Sequence, residues 1–468
     1  MHHGAVSSAE PPAAPSPGLS PAPPALLWFR RDLRLGDLPP VLAAAAGGGP
    51  VLACFVLDPR LEASAGARRL QFLGDSLRAL DDALDGRLLI TRGRPEEQIP
   101  RICAAINARS VHVSADFGPF GTRRDEAVAA ALSDIPLVAT GSPYLVSPGR
   151  VTKDDGSPYK VFTPFFRRWR EVGWRAPAQS DTTTVDWINP AGIGALPPRV
   201  QAPNPGVALD FPAGEAAAMR RWKEFLAEGV TNYATDRDRP DKPGTSRMSA
   251  HLKYGTIHPR TMAADLDSHA TGGGAYVREL AFRDFYAAVL HQWPRSAWHN
   301  FNPSFDAIEV DTGPEAQAGF QAWQQGRTGY PIVDAGMRQL AETGFMHNRV
   351  RMIVASFLVK DLHLPWQWGA RWFLDQLVDA DIASNQHGWQ WAAGTGTDAA
   401  PYFRVFNPIT QGEKFDPDGD YVRRWVPELA DTAEVHKLKA GRPGGYPEPI
   451  VDHGAERAEA LRRYGLIR

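Results

Sequence analysis

Apolar residues recur along this chain with two different periods, and the change of period divides it. Short apolar runs at 25–29, 51–57, 88–91, 111–114 and 137–139 read as strands, while 68–84, 96–108 and 122–132 carry apolar positions at helical spacing. Strand alternating with helix predicts a parallel sheet covered on both faces, a Rossmann-like α/β domain over residues 25–147. Residues 148–214 are rich in Pro and Gly and weak in periodicity, so they predict an interdomain connection, packed in part through Phe162, Phe165, Phe166 and Trp169. From residue 215 strand signals nearly vanish. Helical windows at 216–228, 259–269, 275–292, 332–343, 346–362 and 365–377 predict an all-α domain running to residue 468. Residues 1–24, dominated by Pro, Ala and Ser, read as a disordered extension; with no Lys or Arg before Arg30 they resemble neither a secretory signal nor a transit peptide.

Composition narrows the function classes. A 43% hydrophobic and 22% charged chain is globular, and 51 Lys+Arg against 53 Asp+Glu leaves a formal charge of −2. That balance excludes a general polycationic nucleic-acid binder but permits a local basic groove. Cys54 and Cys103 are the two cysteines, too few for a disulfide framework or a cysteine-rich metal centre, and they fit a reducing cytoplasm. No apolar run approaches the ~18 residues of a membrane-spanning helix. Fourteen tryptophans are present, ten of them from Trp222 onward, and core packing is the ordinary reason for such residues.

Common catalytic signatures are absent: no G-x-x-x-x-G-K-[ST], no H-E-x-x-H, no G-x-S-x-G, and no glycine-rich turn after the first strand, where FRRDLR stands instead. Asp416, Asp418 and Asp420 imitate a calcium loop, but the glycine is misplaced at Gly419 and Pro427 stands where the bidentate Glu belongs, so no metal site is expected. Gly244 to Ser249 forms a hydroxyl-rich turn entering a helical stretch, either a phosphate cradle or a plain N-cap. Glu279, Phe282, Arg283 and Tyr286 share one helix face, as do Asn348, Arg351 and Met352. Such faces either meet a ligand or form a solvated salt-bridge surface. The densest cluster places Asp379, Asp381, Asn385, Trp389 and Trp391 within thirteen residues. It either holds a charged or redox-active ligand or is a structured loop anchored by core tryptophans.

Several segments, in order along the chain, resemble class I cyclobutane pyrimidine dimer photolyases of the photolyase/cryptochrome family. They are WFRRDLR at 28–34, TGYPIVD at 328–334, MHNR at 346–349, GWQW at 388–391 and FNP at 406–408. The resemblance implies an α/β domain joined to a helical domain that holds non-covalent, reduced FAD. It places Tyr233, Thr245, Ser246, Arg247, Met248 and Ser249 about the phosphates and ribityl chain, Arg351 paired with Asp379 near the flavin ring, and Asp381 beside the sugar and ring. Asn385 would lie at the redox nitrogen and donate a hydrogen bond; plant cryptochromes carry Asp at that place, so Asn favours repair. The substrate implied is UV-damaged DNA whose pyrimidine dimer is flipped into a pocket and split by an electron from light-excited FAD, which then takes the electron back. Glu279 would hydrogen-bond the lesion, with Phe282, Arg283, Asn348, Met352 and Trp391 around it and Arg237, Arg349 and Arg404 facing phosphates. Such a protein is expected to work as a cytoplasmic monomer, nucleoid-associated when on DNA.

Two departures from the family stand out. Phe282 replaces the Trp usual at one lesion wall. Of the three tryptophans through which the family photoreduces flavin, Trp389 and Trp366 match the inner pair, but the outer one has no counterpart and, counted without gaps, falls at Gly313. Phe55, Asp58, Arg69, Asp116, Gly121, Asp125 and Lys253 resemble the antenna site for 8-hydroxy-5-deazaflavin, with methenyltetrahydrofolate, another chromophore or none as alternatives. The rival readings are a cryptochrome-type blue-light photoreceptor without repair activity and a light-independent flavoprotein.

Overall fold

The structure is a computed structural model that describes residues 22–398, 404–438 and 442–467. Nearly all of the expected N-terminal extension lies outside the described residues. Five strands, β1 (Ala25–Phe29), β2 (Val51–Leu57), β3 (Leu89–Arg92), β4 (Ser110–Val113) and β5 (Leu137–Ala139), form a parallel sheet in the order β3-β2-β1-β4-β5. Ala25 of β1 stands opposite both Val51 of β2 and Ser110 of β4, which fixes the register at the sheet centre. Successive side chains of β1 enter opposite cores. Leu27 and Phe29 pack with Phe72 and Leu77 of the Ala67–Ala83 helix, whereas Leu26 and Trp28 pack with Ile99 and Ile102 of the Pro95–Ile106 helix. Burial on both faces is why these strands read as unbroken apolar runs and not as alternating ones. The strand order reverses between β1 and β4, opening a crevice at their carboxyl ends. Arg30, Arg31, Ser114 and Asp116 stand there.

The 148–214 segment is more regular than expected. Phe162–Val172 is a helix whose Phe162, Phe165 and Trp169 are buried. Its aromatic positions, with Phe166, run at i, i+3, i+4 and i+7; the flanking prolines and glycines hide that period in any wider window. Trp169 Nε1 donates to Asp284 (3.0 Å), tying this helix to the helical half. The segment then runs along the sheet, with the Ile188 and Val200 amides donating to Val51 O (2.9 Å) and Ile90 O (2.8 Å).

The second half is helical, as the pattern predicts, with shifted boundaries. The window at 259–269 contracts to Pro259–Ala264, while that at 275–292 extends to Thr271–Gln292. Three glycines open this longer helix because its first turn touches backbone: a Cβ at Gly272 would lie 1.8 Å from Val230 O, and one at Gly273 would lie 2.1 Å from Asp267 O. The Asp379–Trp391 cluster, for which a structured loop was one alternative, forms the helix Ile382–Ala393. Asp381 caps it by accepting from the Ala383 and Ser384 amides at 3.1 Å. Helices at Pro314–Gln324, Pro408–Phe415, Asp420–Trp425 and His453–Gly465 add to the set the periodicity picked out. Asp416 is buried and accepts from the Tyr421 and Val422 amides (3.0 and 3.1 Å), so this carboxylate holds the Asp420–Trp425 helix. Among the described residues no helix is long and apolar enough to cross a membrane.

Candidate functional site

A cavity of about 550 Å³ opens among the helices. The Thr271–Gln292 helix presents Tyr276, Glu279, Phe282, Arg283 and Tyr286 to it, and the Asn348–Lys360 helix presents Asn348, Arg349, Arg351 and Met352. Thr245 to Ser249 form another wall together with Tyr233 and Arg237. Asp379, Asp381, Asn385, Trp389 and Trp391 close it from the Ile382–Ala393 helix and the turn before it. Residues spread over more than 150 positions of sequence thus meet around one space. Trp366, expected as a relay beyond Trp389, is buried outside this wall, and Arg404, expected to face phosphates, is exposed and outside it as well; the Arg404 carbonyl accepts from Lys360 Nζ.

The hydroxyl-rich turn is held from behind. Arg221 donates to Ser246 O (2.9 Å) and Thr245 O (3.2 Å), Ser246 Oγ lies 2.8 Å from Tyr276 Oη, and Arg247 adopts a positive φ of 56°. Arg351 binds Asp379 at 2.9 Å. Burial works against ionisation of Asp381, yet Arg31 at 2.7 Å, with Lys253 and Arg283, holds its carboxyl well below the ordinary range. Lys253, placed by resemblance at the antenna, lines this cavity; burial, with Arg31 nearby, pushes its ammonium down to about 8. Asn385 directs its Nδ2 to Ala370 O (3.1 Å) and Gln386 Oε1 (2.7 Å). The expected donor is therefore already engaged, and Oδ1 is the amide atom left to accept.

Glu279 Oε1 forms an ion pair with Arg237 at 2.8 Å and has no other partner among the described residues. Burial raises its pKa despite the opposing pull of Arg237. Phe282 stacks face to face on Phe162, ring centres 3.5 Å apart and planes 5° from parallel, with Arg278 over both rings. Arg349 is paired with Asp238 (2.8 Å). Trp389 packs against Phe373 and Trp323, with centroids 5.0 and 6.1 Å away, and a Cβ on Gly369 would fall 2.1 Å from its ring. Asp398, His347 and Lys253 complete the lining, and Phe162 backs it through Phe282. Only the aromatic spacing of 162–169 gave a sequence signal for Phe162, and none marked Asp398 or His347 as facing a cavity.

Among the described residues, five buried polar atoms in this wall make no hydrogen bond of good geometry: Arg247 Nε, Glu279 Oε1 (though ion-paired with Arg237), His347 Nε2, Asp379 Oδ1 and Trp389 Nε1. Buried polar atoms are ordinarily satisfied, so a cluster of orphans around one cavity is the mark of a large polar ligand. Cations, hydroxyls, an amide and aromatic rings together suit a phosphate-bearing, polyhydroxylated ring system, and FAD fits that donor set.

The antenna candidates divide. Asp116 and Asp125 meet at Arg124 (3.2 and 2.8 Å), and Asp125 also binds Arg30. Gly121 packs so closely that a Cβ would fall 2.2 Å from the Asp116 carboxylate. Asp58 pairs with Arg60 (2.7 Å), Arg69 donates to Ser64 O (2.6 Å), and Phe55 is buried in β2. The two acids are thus engaged by Arg30 and Arg124, cations the residue pattern did not single out.

Residues 276–465 match the family described as the FAD binding domain of DNA photolyase, and residues 25–182 match DNA photolyase. The chain is 39% identical to a deoxyribodipyrimidine photo-lyase of Agrobacterium fabrum over 95% of its length and 98% of that protein. A bacterial class III photolyase from Agrobacterium tumefaciens superposes with a TM-score of 0.84 at 36% identity, covering 97% of this chain and 99% of that one. A cryptochrome from Synechocystis does so with 0.86 at 28% identity, covering 95% and 100%.

Proposed function

The chain belongs to the DNA photolyase family, and from that premise we propose that it splits cyclobutane pyrimidine dimers in DNA, with FAD in the main cavity and the lesion flipped in beside it. The observation that carries this reading is a cavity of ligand size whose wall gathers Glu279, Asn385, Trp389 and the Arg351–Asp379 pair. FAD, when bound and reduced, supplies light absorption and the transferable electron. Arg351 and Asp379, paired at 2.9 Å, would stand beside the cofactor as a mutually compensated pair. Asn385, whose Nδ2 is engaged, would hold the cofactor through Oδ1 by accepting from an N–H. Burial raises the Glu279 pKa, which favours the acid form that would donate to a lesion carbonyl where negative charge develops. Trp391 and Phe282 would stack against the two pyrimidines, while Arg237, Arg349 and Arg404 would lie toward the phosphates.

The carboxyl ends of β1 and β4 would take the antenna, 8-hydroxy-5-deazaflavin in preference to a folate, with Asp116 and Asp125 exchanging Arg124 for the chromophore. The protein acts as a monomer in the cytoplasm. The class I assignment rests on the motifs; a class III photolyase is also among the similar structures. Likeness to the Synechocystis cryptochrome keeps one rival, a photoreceptor that does not repair. Reduced protein mixed with a thymine-dimer oligonucleotide under blue light is expected to restore the absorbance of the intact bases. No restoration in light rejects repair, and restoration in the dark rejects the light-driven route.

A further inference from the structure

Trp366 lies on a second cavity, about 230 Å³, that shares no wall residue with the main one. Its apolar walls are Phe305, Ile308, Val310, Val359 and Leu364. The gapless count puts the absent outer tryptophan at Gly313, but Gly313 is not in this wall. Val310, 40% exposed, stands at the mouth instead. The fold therefore leaves a space beside Trp366 whose phenyl wall is Phe305, backed by Tyr464 with ring centroids 5.8 Å apart.

The polar groups limit what fits. Thr395 is 3% exposed, and its Oγ1 has no hydrogen-bond partner among the described residues. Trp366 Nε1 is already engaged by Asn300 Oδ1 at 2.9 Å. The basic side chains of the wall are likewise taken: Arg463 by Asp311 (2.9 Å) and His363 by Glu456 (2.8 Å). Asp306 and Glu309 are exposed at the rim and repel anions. A neutral ring with one hydroxyl remains. A dry cavity of about 150 Å³ admits benzene, so the volume here suits a single substituted ring.

We propose that this cavity binds a small phenol, its hydroxyl bonded to Thr395, and that the bound phenol is the terminal electron donor to Trp366. The donor half rests on the flavin reading of the main cavity; the binding half does not. On illumination Trp389 gives one electron toward the oxidised flavin, Trp366 refills Trp389, and the phenol refills Trp366. The phenol loses that electron and its hydroxyl proton, which passes to solvent, and leaves as a phenoxyl radical.

The probe is p-cresol with the purified full-length protein. In the dark, saturation-transfer NMR is expected to show binding to the wild type, binding weakened about tenfold in Thr395→Val, and none in Val310→Phe, which blocks the mouth at an exposed position. Absence of transfer in the wild type, or equal transfer in Val310→Phe, overturns the site. Under blue light p-cresol is expected to speed loss of the bound flavin's visible absorption severalfold in the wild type, but not in Val310→Phe or Trp366→Phe. Equal acceleration in Trp366→Phe overturns the donor role. A protein that binds p-cresol but no flavin defeats the reading of the main cavity and leaves the small-ligand site standing.

Discussion

Glu279 is where a single side chain has most effect. Burial in the cavity wall disfavours its carboxylate, and Arg237 only partly offsets this, so its folded pKa is raised. The acid form is therefore favoured as pH falls. Repair that depends on a donated proton is full below the folded pKa and declines as pH rises through it. The same sign governs folding: a raised carboxyl contributes stability at low pH that is lost as pH rises through the folded value. Glu279→Gln keeps a donor without titration, so its repair rate is expected to be flat across that window while the wild type falls. Glu279→Ala removes the donor, and single-turnover repair is expected to drop about tenfold, the equivalent of one hydrogen bond to a charged group. A wild-type profile as flat as that of Glu279→Gln contradicts the acid role.

At the scale of elements, the Phe162–Val172 helix acts on the site through one ring. Phe162 stands behind Phe282, ring centres 3.5 Å apart, so the second phenyl thickens the wall where the family has an indole. Phe162→Ala is expected to cost about 3 kcal/mol of stability from the cavity it opens, measured by denaturant unfolding. It should also weaken dimer-DNA affinity by freeing the Phe282 ring, whereas Phe162→Leu restores stability better than affinity. Equal recovery of both by Leu shows that Phe162 is only core. The helix was legible in principle, since its aromatics lie at i, i+3, i+4 and i+7. Proline and glycine on either side diluted the signal. The reverse holds for Gly272 and Gly273, poor helix formers that sit in a first turn because backbone carbonyls approach too closely for any Cβ.

For the whole molecule, the crevice at the β1 and β4 ends meets the helical half through Arg31 and Asp381, 2.7 Å apart. Asp381 also caps the helix carrying Asn385 and Trp389, so one carboxylate ties the sheet to the site. Arg31→Ala is expected to lower stability by about 2 kcal/mol and to loosen flavin retention, read by equilibrium dialysis. Because the folded pKa of Asp381 is depressed, the stability it contributes is present above its unfolded pKa and is lost as pH falls through the folded value. In Arg31→Ala that acid-dependent part should shrink; unchanged flavin retention removes Arg31 from the positioning of the site. The sequence by itself determined the parallel sheet, the helical second half and most of the residues that converge on the main cavity, because period and local motif are properties of neighbouring positions. The tertiary structure alone decided that Lys253 faces the main cavity, that both amide hydrogens of Asn385 are engaged, that Arg124 holds Asp116 and Asp125, and that Val310 and not Gly313 stands at the outer cavity. Each of these depends on distance between segments far apart in the chain, or on how a loop takes up extra residues, and neither is encoded in spacing along a single strand of sequence.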